Sequence, residues 1–344
     1  VLGGNDNSEP HPLLQGGKRV DVSSYMRMNQ SVSRKDQKHG YWTLFNQRTG
    51  TKIRLSLKPG AKAPEKAYSP EIMDVKITDK CDVGCKFCYM DSTRNGQHAS
   101  ISDLIALADA LASMKVFEVA IGGGEPTDHP DFVQFLQELK SKDIVPNFTT
   151  AKLGWLSDKN CLAILENCGA FAYSVTCTKQ VQELINSIES SKKARRFSFG
   201  GEWSKVTIQI VMGTMGRPEF ESVLSMAKDH GIPVTLLGFK SVGRGAKYKP
   251  KTYDWWLDSC KNLVANYELP LIRVDTALAA QYENEIKASG IPEWCFHVLE
   301  GKFSAYYDAV AKKFARSSYQ LDGAVSILSK FGLHDELLKA FQKF

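Results

Sequence analysis

The stretch KITDKCDVGCKFCYM, residues 76–90, carries Cys81, Cys85 and Cys88, with three and then two residues between them. Thiolates are soft ligands, suited to zinc, copper(I) or iron–sulfur clusters. A structural zinc site wants four closed ligands, often two CxxC pairs. No second pair exists here, and His98 stands ten residues beyond the third cysteine. A [4Fe–4S] cluster also usually takes four protein thiolates, so three leave one iron for an outside ligand. The bland alternatives are a chance grouping, or a zinc site closed by a distant Cys or His.

A second stretch, AIGGGEPTDHP, spans residues 120–130. Gly122, Gly123 and Gly124 remove side chains where backbone must come close to a ligand. Glu125 adds a carboxylate able to accept from a ligand ammonium. The pattern is not GxGxxG, so no dinucleotide fingerprint is supported.

These stretches need elements to position them. Apolar strand patterns at 71–78, 116–123, 144–150, 170–177, 205–213 and 232–239 alternate with helical patterns at 100–114, 130–142, 157–169, 179–193, 218–231 and 253–267. Ser102 is the expected N-cap of the first helix, and Pro130 is expected near the first turn of the second. Six strand–helix units in a row imply parallel strands with crossover helices. A doubly wound sheet and a complete or partial barrel both fit, and both place function at the carboxyl ends of the strands. The cysteine stretch follows the first strand and the glycine stretch ends the second, so both converge on one mouth.

With its CxxxCxxC stretch, Cys81 to Cys88, followed one unit later by Gly123-Gly124-Glu125, the chain resembles the radical S-adenosylmethionine (radical SAM) enzymes over residues 71–240. The resemblance implies an α/β fold with a partial (β/α)6 TIM-like barrel. It implies one [4Fe–4S] cluster on Cys81, Cys85 and Cys88, whose fourth iron is chelated by the amino acid part of S-adenosylmethionine. Phe87 would lie near the adenine. Glu125, with Gly123 and Gly124, would receive the methionine ammonium. Ser174 and Thr176 would contact ribose or carboxylate, with Gln209, Val211 and Leu237 as weaker candidates for the cofactor wall. The implied chemistry is one-electron cleavage of the sulfonium and hydrogen abstraction by a 5′-deoxyadenosyl radical, fed by an external donor such as flavodoxin or ferredoxin.

The segment 239–251, FKSVGRGAKYKPK, holds five cations and no acid. Lys240 and Arg244 stand closest to the strand and are the expected holders of an anion, such as the cofactor carboxylate; a solvated basic loop is the plain alternative. SKKARR, 191–196, reads as a surface charge run away from the mouth. Of the remaining cysteines, Cys161, Cys168 and Cys260 read as buried. Cys177, at a strand end, and Cys295, in the tail, are candidate hydrogen-atom donors to a substrate radical.

The tail resembles a degenerate SPASM/twitch-like region of peptide-modifying radical SAM enzymes. It holds only Cys295, with Ser317 and Ser318 where a cysteine is expected, so no auxiliary cluster is expected. The tail pattern suggests a hairpin within 303–321 and an amphipathic helix at 334–344. The stretch YWTLFNQRTGTKIRLS, 41–56, reads as two strands joined by a turn. It is either a docking platform for a substrate segment or, preferably, an extra sheet covering the barrel. The expected parts are an N-terminal extension at 1–68, the barrel at 69–267 and a C-terminal α+β region at 268–344.

A chain of 344 residues, 43% hydrophobic and with net charge +6, supports a sizeable core and only mild affinity for anions. No apolar run approaches the roughly 20 residues that span a bilayer. The first 21 residues read as a loose polar leader rather than a secretory signal, so the expected location is the cytoplasm, with no membrane partner. The expected substrate is a peptide. A nucleotide, RNA or small metabolite is the alternative, since the basic loop leaves nucleic acid open. A non-catalytic iron–sulfur or zinc protein is the third reading.

Overall fold

The computed structural model describes residues 31–36, 38–56, 64–191, 205–264, 272–291, 296–328 and 332–344. Six strand–helix units follow one another: β4 (Ile72–Thr78) and α1 (Ile101–Ser113), β5 (Glu118–Gly123) and α2 (Phe132–Ser141), β6 (Val145–Thr150) and α3 (Cys161–Asn167). Then come β7 (Phe171–Ser174) and α4 (Thr178–Ser190), β8 (Val206–Val211) and α5 (Arg217–Asp229), β9 (Val234–Leu237) and α6 (Trp256–Val264). The six strands pair in parallel in sequence order, as crossover helices require. The N-cap of α1 is Ser100, whose hydroxyl accepts from Asp103 N at 3.2 Å, not Ser102. Pro130 precedes α2 by two residues.

The tail completes this sheet. A seventh parallel strand, β10 (Ile272–Val274), joins β9, followed by α7 (Thr276–Gln281) and α8 (Glu283–Ala288). On the opposite edge β11 (Ser304–Asp308) pairs in parallel with β4. The expected hairpin follows: β11 pairs antiparallel with β12 (Lys313–Ala315), which pairs with β13 (Val325–Ser326). The terminal helix α9 (Leu333–Lys343) closes the chain. The described strands of the tail therefore belong to the same sheet as β4–β9.

The fold is an open, partial TIM-like barrel. Lys240, just after β9, lies within electrostatic reach of Asp74 on β4, five strands away in the sheet, so the sheet curls round a lumen. Residues in register on adjoining strands share a face. One face carries Met73, Val75, Ile77, Val119, Ile121, Phe148, Phe171, Ile208, Ile210 and Leu236, all buried in one core with the helices. The other carries the in-register rows Asp74–Ala120–Asn147, Lys76–Gly122 and Ser174–Gln209–Thr235. A filled barrel stacks branched apolar residues inside; this one is lined by small and polar side chains.

Ahead of the barrel, β1 (Ser31–Asp36), β2 (Tyr41–Asn46) and β3 (Lys52–Ser56) form an antiparallel meander, one strand more than the sequence suggested. Arg34 donates to the carbonyls of Pro70 (2.9 Å), Ser69 (2.9 Å) and Lys115 (3.3 Å). Gln47 donates to the carbonyl of Asp143. Those acceptors all precede β4, β5 or β6, so the meander covers the amino end of the barrel, opposite the mouth.

Candidate active site

The loop after β4 turns back on itself before the thiols. Asp79 N donates to Gln97 O, Cys81 N to Thr93 O and Ala99 N to Ile77 O, so residues 93–99 form a return limb beneath 77–81. Above it, Cys88 N donates to Cys85 O at 3.2 Å and Gly84 takes φ +72°. Cys81, Cys85 and Cys88 are free and partly exposed at the carboxyl end of β4. Burial pushes the Cys81 and Cys85 thiols up, and the neighbouring cysteines of the loop add to it. The three are thus close enough to repel one another as thiolates, a repulsion that bound cationic metal relieves.

The glycines of the second stretch pack against the limb that leads to the cysteines. A side chain on Gly123 would run into the carbonyl of Thr78, and one on Gly124 into that of Lys80. Gly124 N donates to Thr78 O (2.7 Å) and Glu125 N to Lys80 O (2.8 Å). These two glycines therefore clear room for the limb that carries the cysteines; Gly123 also needs φ +122°. Gly122, in contrast, has open space where a side chain would be.

Glu125 is 1% exposed and caps the short helical turn Pro126–Asp128. Its Oε1 accepts from Thr127 N (3.2 Å), Thr127 Oγ1 (2.7 Å) and Thr150 Oγ1 (2.7 Å), and its Oε2 from Ala151 N (2.9 Å). Burial pushes this carboxyl up, with the four donors pulling the other way. Oε1 is saturated, whereas Oε2 keeps acceptor capacity.

Three cations at the mouth, Arg244, Lys152 and Lys240, have partners within the protein. Arg244 does not reach for a free anion. Its backbone N donates to Cys88 O, its Nε to Cys85 O at 3.0 Å, and its Nη1 to Ser92 O at 2.9 Å and Asp91 Oδ1 at 3.0 Å. Gly243, beside it, takes φ +55°, and a side chain there would strike Tyr89 O. On the other flank, Lys152 Nζ bridges Asp82 in the cysteine loop and Asp128 in the glycine turn, both at 2.7 Å. Lys240 pairs with Asp275 at 3.6 Å and lies over the rings of Tyr89 and Tyr319. Arg244 therefore clasps the cysteine loop, while Lys247, Lys249 and Lys251 of the same segment are exposed.

Phe87 packs edge-on against Tyr248, ring centres 5.7 Å apart. Ser174 and Gln209 lie side by side in register on the lumen face. Val211 and Leu237 pair in register at the strand ends. The Thr176 backbone N and hydroxyl both donate to Gln180 Oε1, which also receives the Cys177 thiol at 3.8 Å. Cys177 sits at the start of α4, half-buried. Cys295 and residues 192–196 lie outside the described residues. Cys161, Cys168 and Cys260 are buried, as expected.

The sequence model of the Radical SAM superfamily matches residues 75–245, from inside β4 to the clasp after β9. The chain belongs to the radical SAM superfamily. Among curated relatives, GTP 3′,8-cyclases of Haemophilus influenzae strain PittGG and Actinobacillus pleuropneumoniae serotype 5b are 22% identical over 182 residues and 24% over 181. Each alignment covers 49% of this chain and 53% of the relative, so the chain spans about half the length of these proteins. Among solved structures, Streptococcus suis SuiB bound to its precursor peptide SuiA aligns with TM-score 0.65 at 15% identity, over 91% of this chain and 87% of SuiB. Native anSMEcpe with bound AdoMet and the Cp18Cys peptide aligns with TM-score 0.53 at 14% identity, over 80% of each chain. At these identities the likeness is one of fold.

The cofactors of the radical SAM family are a [4Fe–4S] cluster and S-adenosylmethionine, and the residues present fit them. The donor set is three soft thiols and no fourth in the loop. Among the described residues, no three Cys, His, Asp or Glu side chains gather as closely as one metal ion needs.

Sequence reading missed Asp74, Lys152, Asp275, Glu300 and Tyr319. A signal existed for the first: Asp74 and Lys76 alternate with Met73, Val75 and Ile77 in a central strand. Two charges at period two mark a face that cannot be core.

Proposed function

We propose that this chain is a radical SAM enzyme that modifies a peptide. The observation that carries the enzymatic part is an open-ended set of three thiols at the mouth of a polar lumen, packed against the Gly-Gly-Glu turn. Cys81, Cys85 and Cys88 would hold three irons of one [4Fe–4S] cluster, leaving the fourth for S-adenosylmethionine. When bound, this pair supplies a carbon-centred radical that takes a hydrogen atom from an unactivated C–H bond.

The chain's own residues position and enclose. Oε2 of Glu125 is the acceptor left for an ammonium, held still by Thr127, Thr150 and Ala151. Phe87, braced by Tyr248, offers an apolar edge for a base, and Ser174 and Gln209 offer unengaged polar groups on the wall. Arg244 and Lys152 hold the cysteine loop from two sides, so little order remains to be gained when metal arrives. Cys177 stands three residues past β7, its thiol resting on Gln180 Oε1, and is the described candidate hydrogen-atom donor. Cys295 stays a candidate donor on sequence grounds. One-electron supply comes from a flavodoxin or ferredoxin.

Peptide as the substrate class is supported by the fold likeness to SuiB across nine-tenths of the chain, a likeness that reaches into the tail. The second reading, a nucleotide or small metabolite, is favoured by the GTP 3′,8-cyclase relatives. The test is anaerobic reconstitution with iron and sulfide, then reduction with S-adenosylmethionine. The expected outcome is 5′-deoxyadenosine with about four irons per chain; about eight irons would contradict a single cluster. Faster S-adenosylmethionine turnover with a candidate peptide, and none with nucleoside triphosphates, supports the first substrate class; the reverse supports the second. No helix among the described residues is long and apolar enough to cross a membrane, and a cytoplasmic setting suits an oxygen-sensitive cluster.

A further inference from the structure

The run Asp91-Ser92-Thr93-Arg94-Asn95 begins three residues after the third cysteine, and all of it is exposed except Ser92. Ser92 is 4% exposed, although its side chain has little apolar surface to hide. The backbone explains its placement. Asp91 takes φ +55°, which reverses the chain just ahead of Ser92; aspartate is among the few residues that visit this region. Asp91 N donates to Cys88 O at 3.4 Å, and Thr93 O accepts from Cys81 N at 2.8 Å. Between them, Ser92 O accepts from Arg244 Nη1 at 2.9 Å, and the same guanidinium donates through Nε to Cys85 O at 3.0 Å. Ser92 is thereby fastened to the backbone of all three cysteines: to Cys88 through the residue before it, to Cys81 through the residue after it, and to Cys85 through Arg244.

Its hydroxyl, in contrast, is held by nothing in the chain. Ser92 Oγ is buried and has no hydrogen-bond partner among the described residues. A hydroxyl can donate one hydrogen bond and accept others, and enclosing it without a partner is costly. The acceptors beside it in the chain already have donors: Asp91 Oδ1 and Ser92 O take Arg244, and Thr93 O takes Cys81 N. What remains in this loop is the side of the three free thiols, where the four-iron cluster of the family would be held. Cluster sulfurs accept hydrogen bonds, and they gain negative charge on reduction.

We propose that the Ser92 hydroxyl donates to a sulfur of the [4Fe–4S] cluster, a bridging sulfide or a ligand thiolate, and thereby raises the cluster's reduction potential. This rests on the reading of Cys81, Cys85 and Cys88 as the cluster ligands. The proton stays on the serine oxygen throughout, so no bond is made or broken by the residue. A hydrogen bond to sulfur strengthens when the acceptor carries the extra electron, so the reduced form gains more than the oxidised one. Arg244 acts at one remove. By holding the Ser92 carbonyl it fixes the backbone from which the hydroxyl projects.

The test compares the native full chain with Ser92→Ala and Ser92→Thr. Each is reconstituted anaerobically with iron and sulfide and titrated with titanium(III) citrate without S-adenosylmethionine, the reduced cluster being read by electron paramagnetic resonance. In Ser92→Ala the ratio of reduced to oxidised cluster at a fixed potential should fall about fivefold or more, a midpoint lower by ~40 mV for one electron. Ser92→Thr keeps the hydroxyl and should stay within about twofold of native, ~20 mV. The metal-free chains are compared by urea unfolding. There Ser92→Ala should be at least as stable as native, because the hydroxyl it removes has no partner in the chain. An unchanged midpoint in Ser92→Ala, an equal fall in Ser92→Thr, or a less stable metal-free Ser92→Ala chain would overturn the inference. A Ser92→Ala chain that folds but holds less iron than Ser92→Thr supports it. Iron content of the native chain is read separately: no cluster there defeats the enzymatic reading itself, whereas a full cluster with an unmoved potential defeats only the role of Ser92.

Discussion

Glu71 at the amino end of the barrel and the acids around Lys240 at the other end are partnered in opposite ways. At the amino end Glu71 is fully buried, and its partners surround it. Arg54 grips both oxygens, with Nη2 to Oε2 at 2.6 Å; Thr43 Oγ1 donates at 3.0 Å; Lys52 and Arg34 stand at 3.8 Å. Three cations and a hydroxyl serve one acid there, and the result is a seal between the meander and the barrel. At the other end three acids share Lys240. The difference is one of solvent: Glu71 is closed off and saturated by protein donors, whereas Asp74, Asp275 and Glu300 stay partly exposed and open to water.

The sharpest break in the comparison is at the thiols. Cys85→Ala should lower iron to background and abolish 5′-deoxyadenosine, while the amino-end seal keeps the apo-chain melting as before; iron analysis and calorimetry check both. Next is the seal. Glu71→Ala strands Arg54 and Arg34 in a partly buried site and should cost about 3–5 kcal/mol in urea unfolding. A loss under 1 kcal/mol would mean that the meander does not depend on that acid.

Glu300→Gln should act with the opposite sign. The folded value near 7 lies above the ordinary 4.5, so protonation favours the fold. The penalty for the charged form is absent below pH 4.5, grows through pH 7 and is complete above it, amounting to at most about 3 kcal/mol. Glutamine keeps an acceptor for Tyr319 and removes that penalty. The variant should therefore be more stable than the native chain at pH 8 and equal to it at pH 4.5. Denaturant titrations at the two pH values decide it, and destabilisation at pH 8 would erase the contrast with Glu71. The smallest effect is expected at the clasp. Arg244→Ala should raise amide exchange in the 81–92 loop of the metal-free chain about tenfold, with Arg244→Lys between, and leave the seal unchanged.

Much of the fold was legible because it is local. Period-two apolar runs and helix patterns repeat six times, and neighbouring units pair without choice. The tail was less so. β10 is three residues long and β13 two, too short for a period to register, and their place in the sheet depends on partners far along the chain. At the site, the thiols and Glu125 announced themselves by spacing. The contact the glycines make within the protein was not legible, because what a missing side chain makes room for depends on what stands opposite, and that is the carbonyl of Thr78 or Lys80.

The sequence by itself determined the ligand chemistry: three soft donors on one turn, one short of a closed set, just past a strand, with a carboxylate one unit later. Those facts reside in a few consecutive residues whose spacing survives any arrangement of the rest. Only the tertiary structure decided where the charges go. Arg244 meets Cys85 across 159 residues, and Lys240 meets Asp74 by the curl of the sheet. A long cationic side chain on a loop can reach water, a ligand or a neighbouring carbonyl. Its partner is settled only when the folded backbone brings one of them within about 3 Å.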